Sequence, residues 1–89
     1  MTITENMGDS ININIQYFAV LREITGSASQ SLSVQAHSTP KTIYKRLNKQ
    51  YDLPNRNRLK VAINDSFCSW DRVLKNRDTI VFIPPVTGG

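Results

Sequence analysis

The sequence predicts an α+β fold, a mixed sheet of about five strands packed on one main helix. Three observations carry that reading. The segment Ile11–Tyr17 alternates strictly between apolar and polar residues. Ile43, Leu47 and Tyr51 recur every four residues behind Ser38-Thr39-Pro40. The run Ile80-Val81-Phe82-Ile83 is apolar at every position, as in a strand that is central in its sheet and covered or heavily flanked on both sides.

In the first segment, Ile11, Ile13, Ile15 and Tyr17 share one face, and Asn12, Asn14 and Gln16 the other, which is a half-buried strand. Phe18-Ala19-Val20-Leu21 breaks the alternation, and Thr25-Gly26 reads as a turn. Leu32, Val34 and Ala36 then alternate with polar residues, giving a second strand and a hairpin. Ser38 or Thr39 can cap a helix whose first position is Pro40, where proline forfeits no intrahelical bond. That helix is amphipathic, with Lys41, Lys45 and Lys49 opposite the apolar stripe, and it ends before Leu53-Pro54. Leu59, Val61 and Ile63 form a third strand. Asn64-Asp65-Ser66 makes a turn, a short strand surrounds Phe67 to Trp70, and Asn76-Arg77-Asp78 turns into the last strand.

Eighty-nine residues suffice for one domain, which buries only about 60–65% of the surface of its unfolded chain, so a partner covering part of it would add stability. No apolar run nears the roughly 18 residues of a membrane span. Residues 1–10 are polar, lack the pattern of a signal peptide, and read as a disordered extension before a domain at 11–83 and a tail at 84–89. The single Cys68 excludes an internal disulfide and leans towards a reducing, cytoplasmic setting. With one histidine, His37, a metal site or a serine triad would rest on that residue, and no metal is expected.

The tail is the chemically distinctive part. Pro84 and Pro85 fix φ and donate no N–H, and Val86 and Thr87 favour extended backbone, so the chain leaves its most apolar strand as a stiff arm. Gly88 and Gly89 have no side chain to obstruct a narrow channel. Such an arm suits delivery of a terminal carboxylate, activated as an acyl-adenylate, into another protein's active site.

Three stretches, Tyr17–Gly26, Val61–Asn64 and Phe82–Gly89, resemble the small-subunit family of molybdopterin synthase, and the likeness covers the chain from about Ile11 to Gly89. The resemblance implies a ubiquitin-like β-grasp fold. It also implies that an E1-like activating enzyme uses ATP to adenylate Gly89, that a sulfur donor makes the thiocarboxylate, and that no cofactor is bound. The sulfur then passes to cyclic pyranopterin monophosphate in the active site of the large subunit, in an expected heterotetramer whose catalytic side chains belong to that partner. Gly88 is then the slender neighbour of the reactive residue, Pro84 to Thr87 the presenting arm, and Phe82 and Arg22 are candidates for docking. The sequence departs from the family where Asn76-Arg77 replaces an Asp-Gly turn, with Asn suited to the left-handed position, and in having Trp70 and Val73 where relatives often have Phe and Pro.

Other readings stand beside this one. Arg22 and Glu23 read first as a local ion pair, and Phe82 equally as core or docking residue. Cys68 reads as a small buried apolar residue rather than a thiol for a thioester or disulfide with the activating enzyme, and His37 as a solvated or capping residue. A thiamine-type sulfur carrier or a ubiquitin-like modifier would use the same tail. The net charge of +4, concentrated from Lys41 to Lys60, admits nucleic-acid binding, but no aromatic residues interleave on the helix face that carries Lys41, Lys45, Arg46 and Lys49, and a solvated helix face is the favoured reading.

Overall fold

The computed structural model describes residues 9–84. The expected N-terminal extension, residues 1–10, lies outside them as far as residue 8, whereas Ser10 already belongs to the first strand; the tail residues Pro85, Val86, Thr87, Gly88 and Gly89 also lie outside. Five strands form one sheet: β1 (Ser10–Tyr17), β2 (Ser29–Gln35), β3 (Lys60–Ile63), β4 (Ser66–Cys68) and β5 (Thr79–Ile83), in the order β2-β1-β5-β3-β4. The hairpins β1–β2 and β3–β4 are antiparallel, and β5 lies between them, parallel to β1 and antiparallel to β3. The apolar run of the last strand is therefore central, as its composition predicts.

The main helix, α2 (Pro40–Gln50), crosses one face of the sheet. Thr39 caps it: its Oγ1 accepts from the Thr42 backbone N–H at 3.3 Å, and the Thr42 hydroxyl accepts from the Thr39 N–H at 3.0 Å. This reciprocal pair satisfies donors that the first turn leaves free. Ile43, Tyr44 and Leu47 from α2 meet Ile13, Ile15, Tyr17, Val61, Ile63, Ile80 and Phe82 from the sheet in a single core.

A short helix, α1 (Val20–Thr25), occupies the segment after β1 that reads in the sequence only as broken alternation and a turn. Leu21 is its buried anchor, and Gly26, at φ 75°, closes it in the left-handed region that suits a residue without Cβ. Asn64 and Asp65, at φ 51° and 73°, form a two-residue turn between β3 and β4. In the turn before β5 the left-handed residue is Arg77, at φ 73°, and not Asn76 as expected. Asn76 instead uses its side chain, whose Oδ1 accepts from the Asn12 N–H at 2.8 Å.

Buried Asp78 ties these turns together. Its carboxylate accepts from Asn64 Nδ2 at 2.9 Å and from the Lys75 N–H at 2.7 Å, while Asn64 Oδ1 accepts from the Thr79 N–H at 2.9 Å. The entry to β5 is thus held by a satisfied polar network, which a buried carboxylate requires.

Candidate functional site

The other end of β5 leads into the tail, and its last residues alternate between the two faces of the sheet. Phe82 is fully buried: it stacks on Trp70 with ring centroids 5.6 Å apart and meets the Tyr44 ring edge-on at 5.1 Å. Tyr44 in turn donates its hydroxyl to the Pro54 carbonyl. This aromatic cluster fixes the strand two residues before Pro84. It also settles the role of Phe82, which is core and offers no surface to a partner.

Val81 and Ile83 point to the opposite face, which no helix covers among the described residues. Strand register places Gln16, Val81, Ala62 and Phe67 in one row across β1, β5, β3 and β4. Phe18 follows Gln16 beyond the end of β1. Val81 and Ala62 are shielded by large neighbours, whereas Phe18 is 46% exposed and Phe67 70% exposed. Exposed phenylalanines on a domain with a complete core are surplus to its own folding, and clustered they mark a contact surface.

Gln16, Phe18, Ala62, Phe67, Val81 and Ile83 line a hollow of about 230 Å³, with Asp65 at its rim. Beyond the Phe67 ring a second hollow, of about 300 Å³, runs from Arg58 and Lys60 to Ile83 and Pro84. The root of the tail therefore stands between an apolar hollow and two exposed cations. Lys60 is opposite Ile83 in the ladder, so its positive charge is carried at the point where the chain leaves the sheet. An anionic group approaching this root experiences a positive field from Arg58 and Lys60.

Of the sequence candidates, Pro84 is at this root, and Arg22 is exposed on α1 but lines neither hollow. Arg22 and Glu23 form no ion pair, the one ion pair among the described residues being Lys41 with Asp71. Cys68 is half-buried, and burial, joined by the Asp78 charge, pushes its thiol pKa up against the lowering effect of Arg72; the net rise disfavours the nucleophilic thiolate. His37 is exposed in a turn at φ 72°, and the cap of α2 belongs to Thr39. Among the described residues no cluster of three or more His, Cys, Asp and Glu side chains could hold a metal ion, and no helix is long and apolar enough to cross a membrane. Sequence reading missed Phe18, Phe67 and the outward side of β5 as a surface. The signal was present, since a strand apolar at Val81 and Ile83 as well as at Ile80 and Phe82 needs cover on two sides.

The sequence pattern of the ThiS family matches residues 15–89, from within β1 through the tail. The chain belongs to the ThiS family. A relative from Haemophilus influenzae, named molybdopterin synthase sulfur carrier subunit, is 32% identical over 86% of this chain and 99% of its own length. Among solved structures, the HVO 2177 protein of Haloferax volcanii superposes with a TM-score of 0.78 at 22% identity, covering 91% of this chain and 89% of that one. Small archaeal modifier protein 1 of Haloferax volcanii gives a TM-score of 0.73 at 19% identity, over 85% and 99% of the two chains. With ubiquitin-like neighbours of this kind, the five-stranded sheet and its helix constitute a β-grasp fold.

Proposed function

We propose that this chain is the sulfur carrier of a molybdopterin synthase and that its reactive group is the carboxylate of Gly89. The observation that supports this reading most is the continuity of the central strand with the tail. β5 is anchored by Phe82, borders with Val81 and Ile83 the hollow that Phe18 and Phe67 also line, and leads through Pro84 towards Gly88-Gly89 in the sequence.

In this reading the exposed apolar face docks first on an activating enzyme. The Gly89 carboxylate attacks the α-phosphorus of ATP and releases pyrophosphate, and a sulfur donor then displaces AMP to leave a thiocarboxylate. The same face afterwards seats the large synthase subunit, with Pro84 to Thr87 spanning the distance to its active site. There the thiocarboxylate sulfur attacks a side-chain carbon of the pterin substrate as that carbon's bond to oxygen breaks, the oxygen leaving with the proton or phosphate it carries. Hydrolysis of the resulting thioester frees the thiol on the pterin and restores the Gly89 carboxylate with an oxygen from water. Sulfur is the better nucleophile and is ionised at neutral pH, which is why the exchange precedes transfer. The side chains that catalyse each step belong to the partners, and no cofactor is assigned to this chain.

The test is an intact mass after incubation with ATP, an activating enzyme and a sulfur donor. The expected gain equals exchange of one oxygen for sulfur, and it disappears when Gly89 is deleted. No gain, with the enzyme active on another carrier, sinks the proposal. A second reading, attachment of Gly89 to lysines of other proteins, draws on the likeness to small archaeal modifier protein 1. It predicts conjugates that survive denaturant and reductant, which the carrier reading does not.

A further inference from the structure

The carrier reading leaves unused a groove on the helix side of the sheet, bounded by α2 and the loop at Pro54 to Arg56. It has a volume of about 320 Å³, and its walls carry Lys41, Lys45 and Arg56 and no carboxylate. Asn48 and Asn55 also line it, and the orientation of each amide is set by the backbone. Asn48 Oδ1 accepts from the Leu53 N–H at 3.0 Å, and Asn55 Oδ1 accepts from the Asn57 N–H at 2.9 Å. With both oxygens engaged, each amide retains its NH2 end as a donor. The ammonium, guanidinium and amide groups of this groove therefore all present donors, which is the chemistry of an anion site.

Arg56 is held in place, its guanidinium carbon 5.3 Å from the centroid of the Trp70 ring, so part of the ordering cost of a binding cation is met in advance. Asp71 approaches Lys41 at 3.8 Å, but both side chains are more than half exposed, and such a pair is easily exchanged for a better one.

The aromatic surroundings decide which anion. Trp70 has Arg56 over its ring and stacks on Phe82, while the Tyr44 ring is packed edge-on against both Trp70 and Phe82. The rings beside the groove are already engaged with one another and with Arg56, so a nucleic acid would gain mainly phosphate contacts there. The other cations of the Lys41–Lys60 stretch are dispersed: Arg46 reaches the Ser33 carbonyl beside β2, and Arg58 and Lys60 stand at the root of the tail. A short local patch of this kind matches one or two carboxylates rather than a phosphate track. We infer that the groove between α2 and the Pro54–Arg56 loop docks an acidic segment of a partner protein, leaving the apolar face and the tail free for engagement at the same time.

The experiment titrates the full-length 15N-labelled chain with an acetylated, amidated hexaglutamate peptide and follows backbone amide shifts. Shifts centred on Lys41, Lys45, Asn48, Asn55 and Arg56, weakening with added salt, are expected. Lys45→Glu should reduce affinity about tenfold, since one attraction becomes a repulsion. Lys49→Glu, on the same helix but outside the groove, should change it less than about twofold. Both variants alter exposed positions, and unchanged thermal midpoints verify the fold. Equal losses in the two variants, or shifts centred elsewhere, overturn the site. Tighter binding of a decathymidylate at the same salt overturns the choice of a protein partner. A chain lacking Gly88 and Gly89 should bind the peptide like the full chain, so the groove and the carrier chemistry stand or fall separately.

Discussion

Phe82 and Phe67 belong to the same sheet, on strands separated only by β3, and their environments are opposite. One is fully buried in the aromatic cluster under α2, and the other is 70% exposed on the face without a helix. A domain this small has little apolar surface to spare, so a large side chain left in water is a cost unless a partner removes it. The comparison separates what holds the fold from what is left in water, and it does so on either side of one sheet.

The strongest way to break this division is Phe82→Ala. Removing a buried ring should cost about 3–5 kcal/mol, enough to unfold much of the population of a small domain, as read from urea denaturation. If Phe67→Ala cost as much, the exposed ring would be structural after all. The expected result is a change within about 0.5 kcal/mol. Phe67→Glu sharpens the contrast: it should leave the urea midpoint nearly unchanged and weaken binding to the activating enzyme or the large subunit roughly 30-fold, or about 2 kcal/mol. Equal affinity by calorimetry would remove the apolar face from the docking surface.

A comparison between the two ends of β5 predicts that Asp78→Ala costs about 2 kcal/mol of stability, because donors at Asn64 and Lys75 lose a buried acceptor. Sulfur loading at Gly89 should be unaffected once the variant is folded.

The smallest effect is confined to alkaline solution. Burial, with a lesser contribution from Tyr51, pushes the Tyr17 pKa from 10.0 up to about 12, and burial does the same for Tyr44. Unfolded tyrosines ionise first, so stability is whole below pH 10 and falls as the pH rises from 10 to about 12. Tyr17→Phe loses the hydroxyl's hydrogen bond to Gln30, 2.8 Å long, and should be less stable than the parent near pH 8 by about 1 kcal/mol. That deficit should narrow in urea melts above pH 10. A constant deficit would exclude ionisation of Tyr17 as a contributor.

Much of this architecture was legible because long periodic segments carry their own signature. The alternation from Ile11 to Tyr17 is β1, the Thr39-Pro40 start is the capped end of α2, and the Asn64-Asp65 turn lies where its residue types place it. The six-residue α1 escaped notice because it is less than two turns long, buries only Leu21 and has no side-chain cap, so it has neither period nor start signal. At Asn76-Arg77 propensity named the wrong residue, since the Asn side chain was needed by the Asn12 N–H across the turn. The family motif indicated the tail, but the exposed apolar face was less visible. Composition alone does not say which phenylalanine faces inward, and β4, with three residues, is too short to show its parity.

The placement of β5 has a mechanical consequence. A pull on the tail is transmitted through Pro84 along a strand bonded on both flanks, to β1 over Thr79–Phe82 and to β3 over Ile80–Ile83. Those hydrogen bonds lie across the line of force, so tension loads them together in shear and does not unzip them one after another. A load applied through Pro84 is therefore shared by the whole ladder, and the body of the domain withstands a pull that would peel an edge strand away.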